Sequence, residues 1–457
     1  MTFDHESLRL LGEALKSLDR GFDRLPPFEP AASSAVGPDR LREVLLEAAE
    51  RLRENAPYHH PLYIGQMLKP PHPVARLAYS LAMFLNPNNH ALDGGLASSA
   101  MEKEAVTQIA RLFGLSTHLG HLTGGGTMAN FEALWVAREL RPDAAVASSA
   151  QAHYTHERLS AVLGVPFRKI AVDPLGRMDV EALEAALKEG VGTVVATLGT
   201  TAAGAVDPLD AILALRERYD FRIHVDTAYG GYFTLASNLG EPARRAFDRI
   251  SEADSVVVDP HKQGLQPYGC GCVLFRDPTV GRFYRHDSPY TYFSSEELHL
   301  GEISLECSRP GASAVALWAT IRLLPLVSGG AFALGLESGR EAALALHASL
   351  KADARFAPLF VPELDIVAWA VRADTAMESS VMARRIFAET ARHDLHLALA
   401  SFPRVMLESC GPVREWDSEA ITCLRACAMK PEHRDWMPEI LGRLRLAADS
   451  ILGGAEA

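Results

Sequence analysis

Lys262 closes the stretch Ala253-Asp-Ser-Val-Val-Val-Asp259-Pro-His261-Lys262, where a short apolar run leads straight into polar residues. Charged side chains are seldom placed against a core strand without a role. Partial withdrawal from water favours the neutral amine of a lysine, the nucleophile that attacks a carbonyl. A surface lysine on a turn is the plainer alternative. A second apolar run also ends in an acid, in Arg222-Ile-His-Val-Asp226-Thr-Ala228-Tyr-Gly-Gly. Burying that carboxylate alone is costly, and a cationic ring nitrogen would be a fitting partner. A helix-capping aspartate is the plainer reading here. Thr123-Gly-Gly125-Gly126-Thr127 opens the helical stretch Met128–Glu139. Glycines let the backbone approach a ligand, and the free N–H groups of a helix start suit phosphate. No Gly-Lys-Ser/Thr follows, and contiguous glycines do not have the dinucleotide-binding spacing. His153, within Ser148–Leu159, is either an ionisable aromatic plate or a histidine packed at a helix start. His153, His156 and Glu157 lack a third ligand at a recognisable spacing, so no metal is expected. Thr197-Leu-Gly-Thr200-Thr201 ends a further run in hydroxyls that could bind phosphate or orient a neighbour.

The order of these features is more specific than any one of them. A phosphate cup, a stacking histidine, an acid at one strand end and a lysine at a later one suit a phosphorylated, planar, cationic heterocycle that condenses with an amine. Pyridoxal 5′-phosphate is that molecule. The elements needed to position the groups are legible too. Short apolar runs at 144–147, 167–172, 193–198, 222–225, 255–258 and 270–275 alternate with helical periodicity at 101–113, 128–139, 180–187 and 209–219. That alternation predicts an α/β architecture with a mostly parallel sheet, whose ligands sit at the carboxyl ends of the strands. Three regions are expected. Residues 1–60 form a helical segment, with a helix over 40–55 entered through Pro38-Asp39. Residues 61–325 form a large cofactor domain. Residues 326–457 form a smaller α+β domain with helices over 341–350 and 380–390 and strands over 366–371 and 405–409.

Composition narrows the class. The 457 residues carry 45 Lys+Arg against 57 Asp+Glu, a net charge of −12. That balance argues against nucleic acid and against an anionic membrane surface as partner. The opening stretch Met1–Leu10 is charged and has no apolar signal core. The longest charge-free apolar stretch, after Arg322, is broken by Pro325, Gly329 and Gly330. The six cysteines match neither a zinc ribbon nor a disulfide framework, so reduced thiols in a cytoplasmic protein are expected. Against this acidity, Lys262, His261 and a helix N-terminus around a phosphate predict a locally positive cleft.

The motifs together resemble the group II pyridoxal-phosphate-dependent amino-acid decarboxylases, the glutamate and aromatic-amino-acid decarboxylase family. The matching stretches are His60–Gln66, Thr123–Leu134, Gln151–Gly164, Thr197–Leu209, His224–Gly231, Ala253–Lys262 and Ser308–Trp318, in family order and spacing. The resemblance implies an aspartate-aminotransferase-type (fold type I) PLP-dependent fold, working as a homodimer with its active site at the subunit interface. It implies Lys262 as the lysine that carries the cofactor and Asp226 as the partner of the ring nitrogen. His153 would stack on one ring face and Ala228 on the other. Gly125, Gly126 and Thr127 would bind the phosphate with His261 and Thr200. A loop tyrosine would return the proton to Cα, and Tyr290 and Tyr292 are both in range, with Tyr292 preferred. The implied reaction is α-decarboxylation of an L-amino acid to an amine and CO2. A carbon–carbon lyase or an aldehyde-forming oxidative decarboxylase is the alternative on the same fold. Three positions depart from the family pattern: Gln263 after the lysine, Thr227 after the aspartate, and Gly95-Leu96-Ala97 before the helix at Met101. The first and third bear on the substrate pocket. Arg309 and Arg425 are candidate carboxylate binders, and Tyr63, Tyr290 and Tyr292 could line a pocket for an aromatic side chain. An aromatic or other uncharged substrate is slightly preferred over an acidic one.

Overall fold

The computed structural model describes residues 5–29, 31, 36–90, 92–285 and 304–453. Its central feature is a seven-stranded sheet of β1 (Leu119–Thr123), β2 (Ala145–Ser149), β3 (Phe167–Ile170), β4 (Val191–Thr197), β5 (Arg222–Asp226), β6 (Ser255–Val258) and β7 (Gly271–Phe275). The spatial order is β1-β7-β6-β5-β4-β2-β3. β7 runs antiparallel to both neighbours, and the other pairs are parallel. Strands β2, β4, β6 and β7 are buried along their whole length. This accounts for their uninterrupted apolar runs, because a sheet covered on both faces needs no polar side. β1 is a strand the periodicity did not announce: Leu119-Gly-His-Leu-Thr is short and carries a histidine. Being antiparallel to β7, it points the same way as β6. Its carboxyl end therefore meets those of β4, β5 and β6.

Six helices precede or cross this sheet early in the chain: α1 (His5–Arg20), α2 (Pro38–Leu52), α3 (Pro73–Met83), α4 (Leu92–Leu112), α5 (Gly126–Leu140) and α6 (Thr155–Leu163). Gly37 is the N-cap of α2; Pro38 takes the first turn, where its missing N–H costs nothing, and Asp39 lies beside it.

A second sheet contains β8 (Phe356–Pro358), β9 (Ile366–Val371), β11 (Ala398–Pro403) and β13 (Ala420–Cys427), in the antiparallel order β11-β13-β9-β8. β10 (Ala373–Thr375) and β12 (Val413–Glu415) form a separate parallel pair. Helices Ala331–Ala352, Ala376–Arg392 and His433–Leu452 pack with this sheet around Trp369, Ile386 and Leu444. The strand expected over 405–409 is instead a helical turn, Arg404–Leu407, followed by a 3-10 turn, Glu408–Cys410. Pro403 ends β11 and caps that helix, and the apolar residues Met406 and Leu407 are buried from a helix rather than a strand. Leu62 and Ile64, expected at the start of the large domain, pack in the small sheet's core. Ile64 N–H donates to His396 O (3.0 Å), and Cys427 N–H donates to Ile64 O (2.6 Å).

Candidate active site

A cavity of about 700 Å³ opens where β1, β4, β5 and β6 end. At one end lies the turn from β1 into α5. Gly125 has φ 150°, a backbone region that side chains disfavour, and a Cβ on Gly126 would meet Asp259 Oδ2 at 2.6 Å. Glycine at both positions follows from this crowding. The helix that begins there has no side-chain cap and no acid in its first turn, so its N–H groups face the cavity as an anion site. Gly124 N–H already donates to a carboxylate, Glu306, at 2.9 and 3.1 Å.

Asp226 ends β5 at the other side of the cavity, 4% exposed. Its Oδ1 accepts from Ala228 N–H (3.0 Å), and its Oδ2 lies 2.8 Å from His156 Nε2 on α6. Burial pushes this carboxyl's pKa up, but the hydrogen bond and charge of His156 and the Ala228 N–H outweigh it and hold it well below the usual range. Asn130, on α5, donates to Gly126 O (2.8 Å) and at longer range to Asp226 Oδ2 (3.5 Å). One amide thus links the glycine turn to the acid. Behind it, His224 Nε2 is 2.7 Å from Asn130 Oδ1, and His224 Nδ1 is 2.9 Å from Ser255 Oγ. Burial pushes His224 down to about 3, so the ring is neutral.

Lys262 lines the same cavity. Its Nζ is 3.0 Å from Asp259 Oδ2, and Asp259 itself is 2% exposed. His261 Nδ1–H donates to Cys270 O (2.7 Å), turning the ring toward the cavity it lines. His153 and Ala228 also line it. Burial lowers the pKa of His153, partly opposed by Asp226, which leaves a neutral aromatic ring.

The structure therefore brings Gly125, Gly126, Thr127, His153, Asp226, Ala228, His261 and Lys262 to one cavity. Thr200 does not line it: its hydroxyl accepts from Ala205 N–H (3.0 Å) in the turn after β4, while Gly199 and Thr201 reach the cavity. Tyr290 and Tyr292 lie outside the described residues. Arg309 is committed to Glu102 (2.7 Å) and two carbonyls, and Arg425 to the carbonyls of Thr201, Ala202 and Gly65. Gln263 turns away from the cavity, accepting from Lys69 (2.8 Å) and donating to Asp365 (2.7 Å). The expected positive cleft is not what these side chains form. Among the described lining residues three carboxylates, Asp226, Asp259 and Glu306, face one lysine. Of the positive groups expected there, the backbone N–H groups of the helix start remain the ones not faced by a side-chain acid of their own helix. His156, Asn130, Asp259 and Glu306 were not singled out as site residues. Only His156 carried a local signal, one turn beyond His153.

These residues fit pyridoxal phosphate. An uncapped helix start suits the phosphate, a buried acid held ionised suits the ring nitrogen, and the Lys262 amine lines the same cavity. The chain belongs to the pyridoxal-dependent decarboxylase family: residues 132–372 match its conserved domain. It is accordingly a PLP-dependent amino-acid decarboxylase of the fold type I architecture. It is 29% identical to the L-tyrosine decarboxylase of Enterococcus faecium, covering 87% of this chain and 86% of that one. The L-aspartate decarboxylase of Thermococcus kodakarensis is 30% identical over 62% of this chain and 73% of its own. The fold matches that of Catharanthus roseus tryptophan decarboxylase in complex with L-tryptophan, with a TM-score of 0.76 at 16% identity, covering 98% of this chain and 99% of that one.

Proposed function

We propose that this decarboxylase acts on an L-amino acid with an uncharged, aromatic side chain and releases the amine. The observation that carries the reading is the charge of the cavity. Asp226, Asp259 and Glu306 line it, the lining contains no arginine among the described residues, and Arg309 and Arg425 are spent elsewhere. A second carboxylate on the substrate would meet repulsion and, among the described lining residues, no cation but Lys262, which Asp259 already pairs. Phe131, Leu159 and Met128 supply apolar wall.

In this reading Gly125, Gly126 and Thr127 would hold the cofactor's phosphate, Lys262 would bind its aldehyde, Asp226 would pair its ring nitrogen, and His153 and Ala228 would pack against it. Bound there, pyridoxal phosphate supplies a cationic ring that accepts the electron pair left when the substrate carboxylate departs as CO2. Asp259 holds the Lys262 amine in place and in reach of a proton. His153 covers the cavity and excludes water from one side. Tyr292, or Tyr290, brings the proton to Cα.

The active unit is a homodimer. Helices α1 and α2 bury no residue within the protomer. Leu8, Leu41, Leu45, Leu46 and Leu52 are 51–67% exposed, and Phe84, Leu85 and Leu96 are exposed apolar residues too. Amphipathic faces of this kind call for a partner, and a second copy is the one the reading commits to. The compartment is the cytoplasm, in keeping with six free cysteines, four of them buried. A screen of L-amino acids for amine and CO2 tests the reading. L-tyrosine, L-tryptophan or L-phenylalanine should exceed L-aspartate and L-glutamate in kcat/KM. Preferred turnover of the acidic pair would overturn it.

A further inference from the structure

The acid at the end of β5 is not left to the cofactor. His156 Nε2 approaches Asp226 Oδ2 at 2.8 Å with the imidazole wholly buried. An ionised carboxylate can only accept, so Nε2 carries the hydrogen. The second nitrogen, Nδ1, has no hydrogen-bond partner among the described residues. Such an orphan is costly in the interior, and the position asks for a reason beyond packing. Behind Asp226 a directed chain runs the same way. Ser255 O–H points to His224 Nδ1, His224 Nε2–H to Asn130 Oδ1, and Asn130 Nδ2–H to Gly126 O and Asp226 Oδ2. The orientation is forced at Asn130, because its amide nitrogen must donate to the Gly126 carbonyl, leaving its oxygen to accept.

We propose that His156 is a positioning residue that fixes the Asp226 carboxylate and thereby sets how firmly the cofactor's ring nitrogen is held protonated. The inference rests on reading the cavity as the pyridoxal phosphate site. The Ala228 N–H pins Oδ1 and the His156 N–H pins Oδ2, so the carboxylate cannot rotate, and its charge stays opposite the ring. Asn130 couples the same carboxylate to the turn that takes the phosphate, so both ends of the cofactor are registered by one helix, α5. The groups facing Asp226 are His156 and His153 from the α6 region, Asn130 from α5 and His224 from β5 itself. None of them is an acid that could take over the negative charge.

The test reads the ring nitrogen directly. The holoenzyme is prepared with ring-15N pyridoxal phosphate, and the nitrogen chemical shift is compared in wild type, His156→Leu, His156→Asn and His156→Gln. Gln can still extend an N–H to Asp226; Asn is too short and Leu has no donor. Wild type and His156→Gln should show the pyridinium position at neutral pH. His156→Leu and His156→Asn should move most of the way toward the neutral pyridine position, with kcat falling and the KM for amino acid little changed. If the Leu variant does not fold, the Asn and Gln pair decides the matter alone. A pyridinium shift retained in the Asn variant overturns the role of His156. Failure of the wild type to bind the cofactor at all would instead overturn the reading of the site.

Discussion

Asp259 Oδ2 stands 3.0 Å from Lys262 Nζ, three residues apart, with the Asp259 side chain 3% exposed and Lys262 23% exposed. The carboxylate is also packed against Gly126, so the lysine, the acid and the glycine turn form one rigid corner. Removing Lys262 leaves a buried charge without its partner. Lys262→Ala is expected to lower stability by about 3 kcal/mol in urea unfolding. Asp259→Asn in the same chain should restore much of that loss. If the two losses simply add, the pair is not coupled. Lys262→Ala should also lose the cofactor's visible absorbance after dialysis, while wild type keeps it.

The buried histidines set an acid limit. Burial pushes His224 and His433 down to about 3, against 6.5 for the ordinary group. Below 6.5 the unfolded chain takes up protons that the folded chain refuses, so stability falls with pH between about 6.5 and 3. The depressed Asp226 adds a loss only below 3.8, its ordinary value. Between pH 7 and 4.5 the histidine loss is opposed by Asp207, whose carboxyl is pushed up to about 7 by burial, so the histidine share is read from variants and not from the total slope. His224→Gln should show a shallower slope there than wild type. An unchanged slope would remove His224 from the account.

Gln263 acts as a tie between parts of the chain, not as pocket wall. It joins Lys69 to Asp365, and Asp365 also accepts from Tyr229 O–H at 2.7 Å. Gln263→Leu takes one hydrogen bond from each partner, leaving Lys69 with Met429 O and Asp365 with Tyr229 O–H, and should cost about 1 kcal/mol. Substrate preference should stay as in wild type, because the side chain does not face the cavity. A changed ranking of amino-acid substrates with unchanged stability would contradict this placement.

The apolar faces of α1 and α2 make the assembly testable. Leu41 and Leu45 lie one turn apart on α2 and are 51% and 60% exposed. Light scattering should give wild type the mass of two chains. Leu41→Glu with Leu45→Glu should give the mass of one, with activity lost. A wild type already at one-chain mass would refute the dimer.

The residues most legible in the sequence were those whose chemistry follows from a strand end. Asp226 and Lys262 follow buried runs with polar residues and Gly125–Thr127 opens a helix, and the topology of a mostly parallel sheet then gathers them. What escaped was pairing across the chain. Glu306 meets Gly124 over a separation of 182 residues, and Asn130 meets His224 over 94. Neither pair leaves a local pattern. Thr200 is placed by a turn: its hydroxyl accepts from Ala205 N–H, while its neighbours Gly199 and Thr201 reach the cavity. The acidic share of the lining also escaped, since nothing local showed Asp259 turning inward or Glu306 arriving from far along the chain.

The most direct test of decarboxylation is product stoichiometry in a single reaction. Purified holoenzyme is given L-tyrosine first and the other L-amino acids in turn, and CO2, amine, keto acid, aldehyde and ammonia are all measured. The account expects amine and CO2 in equal amounts, with the other products absent. A keto acid without CO2, or aldehyde with ammonia in place of amine, would contradict it.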